Sequence, residues 1–316
     1  MQSKIKVGVS SCLLGNYVRY NGGHKQNRYI TDTLSSYFDF LPVCPEVECG
    51  LPVPREAMRL IGEHDNPRLV TIRNGEDLTS QMQDYSLRRV AELAEENLSG
   101  FIFKKDSPSS GLYRVKVYDV NGKSVKKGRG LFAAAMANHF SILPMEEEGR
   151  LQDARLRENF IERVFAYKRW QDFLQDEPDY KKLIAFHTGQ KLLMMSHSPE
   201  KYKYLGRLVA EGKDHPHQQL MAQYEQAYME ALSVLTSVKK NRNVLYHIMG
   251  YFKAHLTADE KAELLEVIDD YANELAPLTV PLTLVNHYVR KYNVAYLQDQ
   301  VYLKPHPSEL MLRNHV

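Results

Sequence analysis

Two periodicities divide this chain. Up to about residue 145, short apolar runs of strand type alternate with stripes at helical spacing. Lys4 to Val9 (KIKVGV) alternates with period two and runs into a loop, SSCLLG. The spacing predicts a helix over about His24 to Tyr37 and a second strand over Phe38 to Val43 (FDFLPV). Ser80 to Leu98 has helical spacing, with Leu87, Val90, Leu93 and Ala94 on one face. Strands follow at Gly100 to Phe103 and Tyr113 to Val120, then a helix at Gly130 to Phe140 and a strand at Ser141 to Met145. Such alternation predicts an α/β domain, Rossmann-like, with a mainly parallel sheet.

The pattern breaks at Glu146-Glu147-Glu148-Gly149-Arg150, where a domain boundary is placed. Beyond it the spacing is helical almost throughout, so the second domain is expected to be all-α. Asp153 to Leu174 carries Leu156, Phe160, Val164 and Tyr167 on one stripe. Further helices are predicted at Tyr180 to Met195, Glu200 to Glu211, His217 to Val238, Asn241 to His255, Ala258 to Ala276 and Pro281 to Tyr292. The tail from Ala295 to Val316, with Pro305 and Pro307, reads as irregular. The expected domains are therefore 1–147 and 151–316, in keeping with a length of 316 residues, above the size at which single cores usually stop growing.

Composition narrows the class. Hydrophobic residues make up 43% and charged residues 25%, as in ordinary globular proteins. No uncharged apolar run reaches the ~18 residues of a membrane-spanning helix, and the N-terminus has no signal-type apolar core. A cytoplasmic protein without a membrane partner is expected. The net charge of +2 does not announce a nucleic-acid binder, but residues 1–140 hold 19 Lys+Arg against 15 Asp+Glu, and the remainder 22 against 24.

The three cysteines change the picture more. Cys12, Cys44 and Cys49 are clustered early, and none follows. An odd thiol count in a cytoplasmic chain argues against a disulfide framework and for a metal site, with inert core thiols as the alternative. Cys12 follows the first predicted strand, Cys44 ends the second, and Ser107 (in KKDSPSSG, 104–111) follows the third. Ligands of open α/β sheets sit beyond the carboxyl ends of the strands, so these loops should converge. Four residues separate Cys44 from Cys49, which is long for a zinc knuckle, though His24 could complete one. A four-iron cluster ordinarily takes four thiolates; three would leave one iron open to a soft sulfur ligand.

At these residues the sequence resembles a known family. Ser10 to Gly15 (SSCLLG), Val18 to Lys25 (VRYNGGHK), Pro42 to Glu46 (PVCPE), Gly50 to Arg55 (GLPVPR) and Ser107-Pro108-Ser109 resemble the motifs of TudS-type thiouracil desulfidases. Residues 151–316, including Phe160 to Trp170 and Met249 to Phe252, resemble the YbgA-like helical domain. The pairing is similar to the RudS-type desulfidases, which convert 4-thiouridine in tRNA to uridine. The resemblance implies a [4Fe-4S] cluster with one iron lacking a protein ligand, and non-redox hydrolysis of a C–S bond. It also implies tRNA as partner. One departure stands out: relatives often carry Ser-Pro-Ser-Cys-Gly, whereas here the cysteine position is Ser110, so Cys49 is expected to join Cys12 and Cys44 as the third cluster ligand.

The expected roles follow. Glu46, two residues after Cys44, is the candidate acid/base, with Glu48 as the weaker alternative, and Ser107 is a candidate for substrate contact or proton relay. Arg19, Asn21, His24 and Lys25 form a polar loop suited to phosphate, ribose or base edges; Arg55 is expected to pair with Glu46 or Glu48. Lys123, Lys126, Lys127 and Arg129 form a basic loop, and Lys239, Lys240 and Arg242 a second cluster, both candidates for RNA phosphates. Tyr202, Tyr204, His247, Tyr251, His255, His287 and Tyr288 could stack on bases. Competing readings are a desulfidase of free thiouracil or thio-nucleosides, a non-enzymatic iron–sulfur sensor or RNA-binding regulator, and a zinc module.

Overall fold

Among the described residues, eight strands and three α-helices build the first half of the chain, and helices build the second. The computed structural model describes residues 4–315, so the extreme ends of the two expected domains, residues 1–3 and 316, lie outside the described residues. The chain divides into two compact units between Gln152 and Asp153.

In the first unit, β1 (Ile5–Ser10), β2 (Phe38–Val43), β5 (Phe101–Phe103) and β8 (Met145–Glu147) form a parallel sheet in the order β2-β1-β5-β8. β1 and β5 are buried almost throughout, as strands covered on both faces must be. Helices α2 (Thr79–Ala94) and α3 (Leu131–His139) pack against each other. Phe132 of α3 lies in edge contact with Phe101 and Phe103 of β5. The buried face of α2 is Met82, Tyr85, Ser86, Val90 and Leu93; Leu87, expected on that face, is exposed.

A second sheet contains the strand expected over Tyr113 to Val120 together with three strands that the hydrophobic pattern does not predict. β3 (Met58–Glu63), β4 (Asn66–Thr71), β6 (Val115–Tyr118) and β7 (Ser124–Gly128) run in the order β4-β3-β6-β7, with only β3 and β6 parallel. The helix expected over His24 to Tyr37 is instead loop followed by two short turns at Tyr29–Thr33 and Leu34–Ser36. The glutamates at which the domain boundary is placed are ordered and partnered. Glu146 and Glu147 belong to β8, and all three carboxylates are buried with partners: Glu146 pairs with Arg150, Glu147 accepts from the Leu112 and Tyr113 amides, and Glu148 pairs with Lys104. The partners of Glu147 and Glu148 lie over 30 residues away in sequence.

The second unit holds α4 (Ala154–Gln175), α5 (Tyr180–His197), α6 (Pro199–Ala210), α7 (His217–Ser233), α8 (Val238–Tyr251), α9 (Ala258–Ala272) and α10 (Thr279–Tyr292), then the short α11 (Ala295–Gln298). Trp170 of α4 is fully buried and stacks on Tyr224 of α7 at 5.2 Å. The tail is less irregular than expected: Tyr302, Leu310 and Leu312 are buried, and Arg313 donates to Glu162 (2.9 Å) inside the bundle. No helix among the described residues is long and apolar enough to cross a membrane.

Candidate functional site

In the order β2-β1-β5-β8 the chain leaves β1 toward β2 on one side and returns to β5 on the other, so the topological switch point lies beyond the carboxyl ends of β1 and β5. A cavity of about 340 Å³ opens there. Its walls come from the three loops expected to converge: Cys12 after β1, Cys44 to Glu46 after β2, and Lys104 to Pro108 with Ser110 after β5. The Lys104 amide donates to Ser10 Oγ (2.9 Å), tying the first loop to the third.

Each loop has a local cause. Cys12 sits in a single turn, Ser11–Leu14, closed by Gly15 at φ +96°, a conformation that favours glycine. The Cys12 carbonyl accepts from the Lys25 amide (2.9 Å), which draws the 18–25 loop over the cavity. Cys44 caps the short helix α1 (Pro45–Glu48), with Pro45 at its first position, where the ring fixes a helical φ. The serine loop is held by α3: the Leu131 and Ala133 amides, free donors of its first turn, bond to the Pro108 and Ser109 carbonyls. Gly111 and Gly130 allow this approach, since a Cβ at either would meet backbone atoms of Ser107 or Ser109 within 2.7 Å.

Glu46 stands where the loops meet. Its Oε1 accepts from Ser109 Oγ at 2.6 Å and lies 3.4 Å from Ser107 Oγ; its Oε2 is 3.5 Å from Cys44 Sγ and 3.9 Å from Arg55 Nη2. Arg55, nearly buried, donates to the Val18 carbonyl (3.0 Å) as well. Glu48 is turned to other work: it binds the Cys44 amide, the Tyr85 hydroxyl and Arg89. Burial and then the charge of Glu46 push the Cys12 thiol up to about 11 and the Cys44 thiol up to about 12, so both stay neutral unless a cationic group enters the cavity.

The other candidates separate. Arg19 and Lys25 line the cavity, whereas His24 packs edge-on to Tyr17 and does not. Cys49 ends α1, half-buried, with its Sγ donating to the Glu46 carbonyl (3.2 Å); it is not among the lining residues, and the buried Ser110 is. Lys126 and Lys127 lie on the exposed strand β7, not in a strand-to-helix loop, and Arg129 is anchored to the Leu112 carbonyl (3.1 Å). None of the three lines the cavity. In the second cluster Lys240 donates to the His197 and Leu235 carbonyls, and Arg242 faces Tyr246 and Asp269. Ser109, the closest partner of Glu46, was missed as a separate role; its signal was the serine run after the third strand. Among the described residues, no three His, Cys, Asp or Glu side chains converge tightly enough for a single metal ion.

The fold and cavity together define an α/β protein with thiols and a carboxylate at the switch point of a parallel sheet, followed by a helical unit. Residues 7–148 match the family described as 2-thiouracil desulfurase, and residues 191–307 match a family of unknown function, DUF1722. The uncharacterized protein YbgA of Escherichia coli (strain K12) is 31% identical over 163 residues, covering 51% of this chain and 95% of that protein. The uncharacterized protein YbbK of Bacillus subtilis (strain 168) is 32% identical over 134 residues, covering 40% of this chain and 87% of that protein. Among solved structures, a [4Fe-4S]-dependent thiouracil desulfidase, TudS, is similar at 29% identity and a TM-score of 0.38, covering 48% of this chain and 95% of its own. The chain belongs to the 2-thiouracil desulfurase family, with a DUF1722 region fused behind the desulfurase unit.

Proposed function

We propose that this chain is a desulfidase that converts 4-thiouridine in tRNA to uridine, using a [4Fe-4S] cluster with one iron free of protein ligands. The observation that carries the reading is the cavity in which the thiols of Cys12 and Cys44 share walls with the Glu46 carboxylate. A cluster spreads its ligands around a body several ångströms wide, and two thiols from separate loops fit that demand better than a single ion. The fit is incomplete at the third leg, where the wall carries the Ser110 hydroxyl; Cys49, one short helix away from Cys44, is the remaining thiol and the proposed third ligand. When bound, the cluster supplies a soft Lewis-acid iron for a thiocarbonyl sulfur.

The chain's own residues do the rest. Glu46 removes a proton from the water that attacks the ring carbon, held for this by Ser109. Arg55 keeps the carboxylate aimed into the cavity. Lys25 and Arg19 present positive charge to the ribose-phosphate of the target nucleotide. Ser107 shapes the loop beneath, accepting from the Ser109 and Ser110 amides. The tRNA substrate is favoured by the second unit, which a free base would not need. Nucleoside analysis of 4-thiouridine-containing tRNA after incubation with anaerobically reconstituted protein tests the reading: uridine replaces 4-thiouridine and sulfide is released. Turnover of free thiouracil with untouched tRNA would overturn it.

A further inference from the structure

Two of the three cysteines are carried by a single helical turn. Cys44 caps α1, Cys49 ends it, and Gly50 follows at φ +100°. One turn fixes several dihedrals for very few hydrogen bonds, so four residues do not hold a helix by themselves. The support comes from α2. Gln81, Tyr85 and Arg89 are spaced four apart, which places them on one face of that helix. Each reaches the Cys44–Cys49 segment. Gln81 Nε2 donates to the Cys49 carbonyl (2.8 Å), the Tyr85 hydroxyl donates to Glu48 Oε2 (2.6 Å), and Arg89 Nε pairs with the same oxygen (3.1 Å).

Glu48 passes that grip to the start of the turn. Its other oxygen accepts from the Cys44 amide (2.7 Å), and its own amide donates to the Cys44 carbonyl (2.9 Å). Tyr85 is buried, which strengthens its bond to the carboxylate. At the far end Gln81 ties down the Cys49 backbone, while Cys49 Sγ donates to the Glu46 carbonyl (3.2 Å). Rotation about the Cα–Cβ bond is then the motion left to this thiol. Gln81, Tyr85 and Arg89 do not line the cavity, so they act through the two cysteines and not on substrate.

We propose that Gln81, Tyr85 and Arg89 are positioning residues for the cluster, holding the α1 turn so that the Cys44 and Cys49 thiols keep a fixed span. This rests on the reading that these thiols bind an iron–sulfur cluster. Removing a group that orients a metal ligand ordinarily costs about 10–100-fold in metal affinity. Loss of the Tyr85 hydroxyl should loosen Cys44 first, because Glu48 links the Cys44 amide to Tyr85 and Arg89.

The test begins with metal-free, full-length protein, in which iodoacetamide labelling is followed at each cysteine by peptide mass spectrometry. Cys44 is buried, so its labelling reports opening of α1, and Cys12, buried on another loop, is the internal standard. Tyr85→Phe removes only the hydroxyl and should raise the Cys44-to-Cys12 rate ratio about tenfold or more. Ser86→Ala removes a buried hydroxyl of the same helix that donates to the Met82 carbonyl, and should leave the ratio within about twofold. After anaerobic reconstitution, Tyr85→Phe should lose iron to a chelator about tenfold faster than wild type, or more. An unchanged ratio in Tyr85→Phe, or an equal rise in Ser86→Ala, overturns the proposal. A raised ratio with wild-type iron retention overturns it as well, since the grip would then not serve the cluster. Wild-type protein that takes up no iron overturns the cluster reading itself, an outcome the labelling ratio keeps apart from failure of the grip.

Discussion

Ser109 Oγ lies 2.6 Å from Glu46 Oε1, while the neighbouring Ser107 Oγ lies 3.4 Å from the same oxygen and accepts two backbone amides instead. The two serines of one motif thus divide the work, Ser109 holding the carboxylate and Ser107 shaping the turn. A hydrogen bond to a charged group contributes about 1.5–3 kcal/mol, so Ser109→Ala should lower kcat for desulfidation about tenfold to a hundredfold. Ser107→Ala should act more on thermal stability than on kcat. Steady-state kinetics and melting curves of both variants check this; equal kcat losses with unchanged stability would remove the distinction.

Glu46 itself should be costlier to lose. Glu46→Gln preserves shape and most hydrogen bonding but removes the base, which ordinarily contributes about 10²–10⁴ in rate. The expected outcome is a fall of at least about a hundredfold in kcat with iron content unchanged. A variant retaining wild-type kcat would leave the Ser109–Glu46–Arg55 arrangement without a catalytic purpose.

The cluster's third ligand is tested by moving the thiol. Because Ser110 lies on the cavity wall and Cys49 does not, Cys49→Ala should reduce bound iron and sulfide after reconstitution, and Cys49→Ala/Ser110→Cys should restore them. Iron and acid-labile sulfide analysis reads both. Full iron content in Cys49→Ala would show that Cys12 and Cys44 do not need it.

Much of this was legible because strand ends are legible. Cys12, Cys44 and Ser107 each follow a period-two or fully apolar run, and a parallel sheet brings such positions together whatever the intervening sequence. In the second sheet β6 falls within the strand expected over Tyr113 to Val120, whereas β7 escaped because its one valine is exposed and only Gly128 is buried. The burial of Glu147 and Glu148 escaped because their partners are distant in sequence, which composition cannot reveal. Basic runs say least about position: Lys240 and Arg129 bond to carbonyls of their own units, contacts that no local pattern announces.

His187 makes the helical unit sensitive to acid. Burial, with the charge of Lys191 nearby, lowers its value from 6.5 to about 4, and its other neighbour is the neutral Tyr224 hydroxyl. Between those values the unfolded chain binds a proton that the folded chain does not, so stability falls as pH drops from 6.5 toward 4, by up to ~3 kcal/mol. Trp170, the chain's single tryptophan, reports this unit alone through its fluorescence. Urea midpoints at pH 7 and pH 5 should differ in wild type and differ less in His187→Gln; identical pH dependence in the two would contradict the assignment.

Sulfur removal at the Cys12–Cys44–Glu46 cavity is read by absorbance of the 4-thiouridine band in tRNA. Anaerobically reconstituted protein should abolish the band with release of sulfide, and Cys44→Ala should leave it intact. A stable band with wild-type protein whose iron content has been verified would contradict the account.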